Sequence, residues 1–155
     1  MKRFSFIGVM VVSMFVLMAC GEQQQDQPTE ALGEMFEFYE LEITIGDDIS
    51  WGRINAYWTE NEGVYYFYLP VTFTNIGETS DGLSRWDFDI FGPNGISLEE
   101  IDWYVDGPSI ETSRDVRPGM TMETYLHILF DGDGEYIIEL HGMYTMTSIT
   151  FNVSR

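Results

Sequence analysis

From residue 36 to residue 153 apolar side chains recur at every second position rather than every third or fourth, the period of a strand with one buried face. Leu41, Ile43 and Ile45 alternate with Glu40, Glu42 and Thr44, which predicts a strand with an acidic outer face. Phe36 and Phe38 precede it on the opposite parity, so a bulge or an irregular strand start is expected near Tyr39. A weaker strand over 49–58 is turned by Asn61, Glu62 and Gly63 into the run VYYFYLPVTFT at 64–74. There Tyr65, Phe67, Leu69, Val71 and Phe73 share one face. Pro70 donates no ladder hydrogen bond, which predicts an edge strand or a bulge at that point.

Trp86, Phe88 and Ile90 form the next alternation, and GPNG at 92–95 predicts a hairpin turn before Ile96 and Leu98. The segment 98–105 fits either a strand or a short helical turn. Pro118 and Gly119 open the series Met122, Thr124, Leu126, Ile128 and Phe130. DGDG at 131–134 then turns the chain into Tyr136, Ile138 and Leu140, and Ile149, Phe151 and Val153 close the domain. About eight strands in about 120 residues, with no amphipathic helix and no internal repeat, predict an all-β fold. The expected architecture is an antiparallel immunoglobulin-like β-sandwich, here without the Cys pair of antibody domains.

The amino terminus follows other rules. Lys2 and Arg3 precede an uncharged apolar run over 4–19, and Cys20 follows. The run is short of the roughly 20 apolar residues that span a bilayer and ends beside small and polar residues, as cleaved export signals do. Leu17, Met18, Ala19 and Cys20 resemble the bacterial lipobox, with Leu17 and Ala19 at the positions the lipoprotein signal peptidase recognises. Met18 departs from the usual Ser, Thr or Ala. The resemblance implies a diacylglyceryl group on the Cys20 thiol, with the new amino terminus open to N-acylation, so that the chain is expected to be lipid-anchored to the outer face of the bacterial cell membrane. Two acyl chains hold stably where one holds marginally, since each buried CH₂ contributes about 0.8 kcal/mol. The alternative is an ordinary secretory signal with an incidental Cys. The expected division is a signal peptide over 1–19, an anchored flexible linker over 20–34, rich in Gln and Glu, and a folded domain over 35–155.

Charge narrows the partners. Seven basic residues stand against 26 acidic ones, a formal charge of −19. Loss of Lys2 and Arg3 with the signal makes this 5 − 26 = −21, with no lysine left. Nucleic-acid phosphates and anionic lipid would both repel such a surface. Lipid rather than charge then holds the protein at the membrane, and a basic peptide, a cation or a salty or alkaline habitat is the counterpart of the acidity. At 45% hydrophobic and 15% aromatic content the chain still has material for a core. One Cys and two His exclude a disulfide scaffold and most zinc sites.

VTFTNIGE at 71–78, FGPNGISLE at 91–99 and RPGMTMETYLHILFD at 117–131 resemble, in this order, the landmarks of one family. It is the telokin-like, immunoglobulin-like domain of unknown function found in Gram-positive bacterial lipoproteins. The resemblance spans about residues 41–153 and implies an exported, lipid-anchored, immunoglobulin-like domain; it carries over no catalytic residue. Pro70 and the segment 99–115 sit least comfortably on the pattern.

Three constellations remain. Asp131, Asp133 and Glu135, spaced by glycines, resemble the start of a calcium loop, but Tyr136 and Gly142 fall where an EF-hand needs Gly and Glu. A looser Ca²⁺ site using Asp131 and Asp133 with Asp102 or Asp106 stands beside the plainer reading of a hairpin turn. If Leu126 pairs with Leu140, His127 faces Glu139 and His141 faces Tyr125, leaving the two His diagonal neighbours on the outer side. Tyr66 and Tyr68, on outward parity, are candidates for a binding surface toward an envelope protein or peptide, against the alternative of cross-strand packing. No G-x-S-x-G, P-loop or His-Glu-x-x-His occurs, and no catalytic residue is assigned, so a non-catalytic module is expected.

Overall fold

The computed structural model describes residues 29–54, 63–98, 109–110, 115–143 and 145–155. Leu17, Ala19, Cys20, Asp102 and Asp106 lie outside the described residues, as does the segment 99–108. The chain forms a β-sandwich. Its strands are β1 (Thr29–Glu30), β2 (Met35–Phe38), β3 (Leu41–Ile45), β4 (Ser50–Arg53), β5 (Tyr65–Asn75), β6 (Phe88–Phe91), β7 (Thr121–Leu129), β8 (Gly134–His141) and β9 (Met146–Val153). One sheet runs β1-β9-β8-β6; the other runs β2-β3-β5-β4, with β7 also paired to β5.

The predicted alternation decides which face is buried. Phe67, Leu69, Val71 and Phe73 of β5 are all fully buried, as are Leu126 and Ile128 of β7 and Ile43 and Ile45 of β3. From the other sheet come Tyr136, Ile138 and Leu140 of β8 and Ile149 of β9, also fully buried. Aromatic rings bridge the layers: Phe67 meets Tyr136 edge-on at 5.1 Å and Phe151 at 6.2 Å. Such geometries suit the ring quadrupole and add to area burial.

β5 carries three partners. β7 runs along it from Tyr66 to Thr74, while β4 pairs with Tyr65 to Tyr68 and β3 with Val71 to Asn75. Since β7 fills one flank, β3 and β4 share the other end to end. Pro70 falls in the gap between them, and its carbonyl accepts a 2.8 Å hydrogen bond from the Gly46 N–H. In a strand the nitrogen and carbonyl of one residue point to the same flank, so the missing N–H faces the place where one neighbour gives way to the next. The edge or bulge expected from Pro70 is therefore replaced by a central strand with a break in its neighbours. A Cβ at Gly46 would sit 2.6 Å from the Pro70 ring, so this close approach requires glycine.

Other local expectations change. The phase shift at Tyr39 is a reversal rather than a bulge: Phe38 pairs with Leu41, and Tyr39, at φ 54°, makes the two-residue turn with Glu40. Trp86 does not join the strand. Asp87 Oδ2 accepts from the Ser84 N–H (2.7 Å) and hydroxyl (2.9 Å), closing a 3₁₀ turn over Arg85–Asp87 that leaves Trp86 79% exposed. GPNG does form the tight turn, with Gly95 at φ 68° and the Leu98 N–H bonded to the Ile90 carbonyl. Pairing begins ahead of residue 35: Thr29 and Glu30 lie parallel to Ser148 and Ile149 of β9.

The end of β5 is fastened by Asn75, which is fully buried. Its Nδ2 donates to the carbonyls of Thr79 (2.7 Å) and Val116 (2.8 Å), and its Oδ1 accepts from the Gly77 N–H (2.8 Å). One amide thus ties together two loops distant in sequence. Asn75→Ala strands all three partners, so urea denaturation is expected to show a loss of about 2–4 kcal/mol at roughly 1 kcal/mol or more per unmade bond. A loss below about 1 kcal/mol would mean that water replaces the amide.

Candidate functional site

The outer face of the β5 sheet carries an aromatic cluster. Even positions of β5 point away from the core, and register brings Tyr68 opposite His127 and Pro70 opposite Tyr125 on β7. The Tyr68 ring lies 5.5 Å from both Tyr125 and His127 and 6.2 Å from Tyr66, and Tyr66 lies 5.7 Å from His127. Gly52, opposite Tyr66 on β4, leaves room for the Tyr66 ring, since a Cβ there would collide with it. Tyr66 and Tyr68 therefore stand together on the outward face as their parity predicts, each half-buried. The outcome for His127 differs from the partly exposed residue expected: it is only 4% exposed, packed among the rings. The cluster offers stacking faces and phenolic edges of the kind that recognition surfaces use.

The two histidines are not neighbours. β7 and β8 are consecutive but belong to different sheets, so the register that set Leu126 against Leu140 does not occur. β8 instead pairs with β6 and β9, placing Asp89 opposite Glu139. His141 sits beside these carboxylates, its Nε2 3.1 Å from Asp89 Oδ2 and 3.5 Å from Glu139 Oε2. The imidazole thus stands where two like charges would otherwise face each other.

DGDG is likewise a crossing between sheets rather than a hairpin turn. Gly132 and Gly134 supply the backbone with φ 116° and 147°. Asp131 Oδ2 accepts from Asn94 Nδ2 at 3.0 Å, joining this loop to the GPNG turn, and Asp133 Oδ1 accepts from the Arg155 backbone N–H at 2.9 Å. The two carboxylates thus hold different parts of the domain. Among the described residues no three His, Cys, Asp or Glu side chains group as metal ligands. The Ca²⁺ expectation at Asp131 and Asp133 finds no support in this geometry.

One feature escaped the sequence reading. At the edge between the β2–β3 turn and the end of β8, Phe38, Leu41, Asp81, Leu83, Asp87 and His141 line a cavity of about 410 Å³. Its residues come from three stretches, 38–41, 81–87 and 141–143, so no local pattern announces it.

No family model matches the chain, and no curated protein matches it. Solved structures do share the fold. An uncharacterised β-sandwich protein from Clostridium difficile superposes with a TM-score of 0.54 at 15% identity, covering 84% of this chain and 97% of that one. The secreted protein MPT63 from Mycobacterium tuberculosis gives 0.56 at 15% identity, covering 82% and 98%. A candidate lipoprotein, ycdA, from Bacillus subtilis gives 0.56 at 10% identity; the match covers 76% of this chain but only 38% of that protein. At these identities the likeness is one of fold.

The loop at 131–134 rests on a buried phenol. Tyr136 OH donates to the Gly132 carbonyl (3.0 Å) and accepts from the Asp131 N–H (2.9 Å). Burial pushes its pKa above the ordinary 10.0; the Asp131 N–H bond opposes the rise, while the charges of Asp131 and Asp133 add to it. Because the folded state holds this proton more tightly than the unfolded chain, its stabilising contribution is complete below pH 10.0 and is lost as pH rises through the folded-state value. Tyr136→Phe is expected to cost about 1–3 kcal/mol at pH 7. It should also flatten the alkaline limb of a stability–pH profile; an unchanged limb would contradict the assignment.

Proposed function

We propose that the protein is a lipid-anchored module of the bacterial cell surface that binds an envelope protein or peptide without catalysing a reaction. The observation that carries this reading is the joined Tyr66, Tyr68, Tyr125 and His127 cluster on an outward sheet face. Half-buried aromatic side chains on a rigid strand present large contact area at little cost in side-chain entropy. The three landmark motifs and the β-sandwich fold support reading the domain as telokin-like and immunoglobulin-like. Two of its structural neighbours are a secreted protein and a candidate lipoprotein, which agrees with an extracellular role.

Cys20 is the attachment point in this reading, with Leu17 and Ala19 presenting it to the signal peptidase. Residues 21–28 then separate the lipid from β1, a span of at most about 28 Å at ~3.5 Å per residue. That places the sandwich within reach of envelope components close to the membrane. The acidic surface keeps the domain off anionic headgroups while acylation holds it nearby.

Cys20→Ala, with residues 1–19 exchanged for an ordinary cleaved secretory signal, tests the anchor and supplies a soluble form of the same domain. Fractionation is expected to move the protein from the membrane to the soluble fraction; retention in the membrane would refute acylation. The released variant, added back to envelopes of cells lacking the protein, should bind saturably. Tyr66→Ala with Tyr68→Ala in that background should weaken binding at least about fivefold, as expected for aromatic anchors, while circular dichroism still shows a folded sandwich. Absence of saturable binding would refute the module.

A further inference from the structure

The cavity beside the β2–β3 turn is lined by none of the residues of the tyrosine face. Phe38, Leu41 and Leu83, each no more than 3% exposed, belong to the core and give the cavity an apolar floor. Two carboxylates stand on its wall in fixed positions. Asp81 Oδ1 accepts from the Gly82 N–H at 2.8 Å, and Asp87 Oδ2 is held by the Ser84 N–H and hydroxyl. Each carboxylate is thereby oriented through one oxygen, leaving the other as an acceptor. Held acceptors lose less entropy on pairing than free side chains do.

The rim is apolar and prominent. Met143, 80% exposed, and Tyr39, 50% exposed, both line the cavity, and Trp86, 79% exposed, adjoins Asp87 in the 3₁₀ turn. Tyr39 holds φ 54° in the left-handed region, which a bulky residue adopts at a cost, and its ring lies where a Cβ on Gly142 would collide with it. Backbone strain of this kind gathers at ligand clamps. Apolar side chains standing around a hole, rather than a closed pocket, suit a polypeptide with a protruding residue better than an isolated small ion.

Charge selects the sign of the partner. Asp81 and Asp87 line the cavity, Asp89 and Glu139 flank His141, and the whole chain carries −19. Such a field draws cations and repels acidic peptides. We propose that this cleft docks a basic polypeptide segment, seating one apolar or aromatic side chain on Phe38, Leu41 and Leu83 while flanking Lys or Arg cations pair with Asp81 and Asp87. A volume of about 410 Å³ holds such a side chain with part of its backbone. The inference rests on the reading of the domain as a binding module and names a partner chemistry for it.

The test is calorimetric titration of the full chain in non-ionic detergent with N-acetyl-Lys-Trp-Lys-amide and with N-acetyl-Glu-Trp-Glu-amide. The basic peptide is expected to bind saturably, with an affinity that falls as salt rises, and at least about tenfold more tightly than the acidic one. Asp81→Asn with Asp87→Asn, which keeps an acceptor for each backbone N–H, should weaken binding about five- to tenfold without moving the unfolding midpoint. Should that variant fail to fold, the salt dependence and the acidic peptide decide on the unaltered chain. Equal binding of both peptides, no saturable binding of the basic one, or binding indifferent to the Asn changes would overturn the proposal. Loss of binding in Tyr66→Ala with Tyr68→Ala alone would also overturn it by moving the partner to the tyrosine face, with the binding-module reading intact. That broader reading fails only if envelope binding is absent as well.

Discussion

The sandwich hangs on one strand, β5, which pairs with β7 along one flank and with β3 and β4 on the other, apart from the break at Leu69 and Pro70. Its odd positions make the inner layer, fully buried from Phe67 to Phe73, and its even positions make the tyrosine face. Shifting the strand by one residue would exchange the two sets, placing phenols in the core and phenylalanines in water. The register between β5 and β7 thus sets core and candidate surface together. Pro70 and Gly46 complete this arrangement, because the gap between β3 and β4 lies where the strand lacks a donor.

Polar groups fasten what apolar packing leaves loose. Asn75 joins the loops at either end of the segment 76–119, Tyr136 holds the crossing between sheets, and Asp131 and Asp133 attach to the GPNG turn and to the carboxyl end. Buried groups with several partners specify one arrangement, since any alternative would leave them unsatisfied. Cations are used differently. Arg53 and Arg155 both approach the Tyr65 ring, at 5.5 and 3.3 Å, and Arg85 covers Trp86 at 4.2 Å. In so acidic a chain these guanidinium groups help order exposed aromatic surface.

Alternation made the strands legible, because a period of two with one buried face leaves a direct imprint on residue type. The outward placement of Tyr66 and Tyr68 followed from the same parity. Long-range choices left no such imprint. DGDG has the chemistry of a tight turn, yet nothing local states which sheet receives the next strand, so local pattern pairs two histidines that lie in different sheets. A strand proline most often marks an edge or a bulge, whereas Pro70 answers to a break between its neighbouring strands more than twenty residues away in sequence. Trp86 fits a strand by parity, but Asp87 bonding to Ser84 closes a turn first. The cavity joins side chains from positions 38 to 143, and only the finished fold assembles it.

Taken together, the domain is a rigid two-sheet frame that presents aromatic side chains at two places and spends its carboxylates on loops and on charge. Recognition at the cell surface is the role we propose for this arrangement. Hydroxyl-radical footprinting tests it most directly, comparing the protein on intact cells with the same chain purified in detergent. The account predicts that Tyr66, Tyr68 and Tyr125, or Tyr39, Trp86 and Met143, are oxidised less on cells, while exposed Met120, which belongs to neither surface, is oxidised equally in both. Equal oxidation of all of them in the two samples would contradict the claim that the domain is held by a partner.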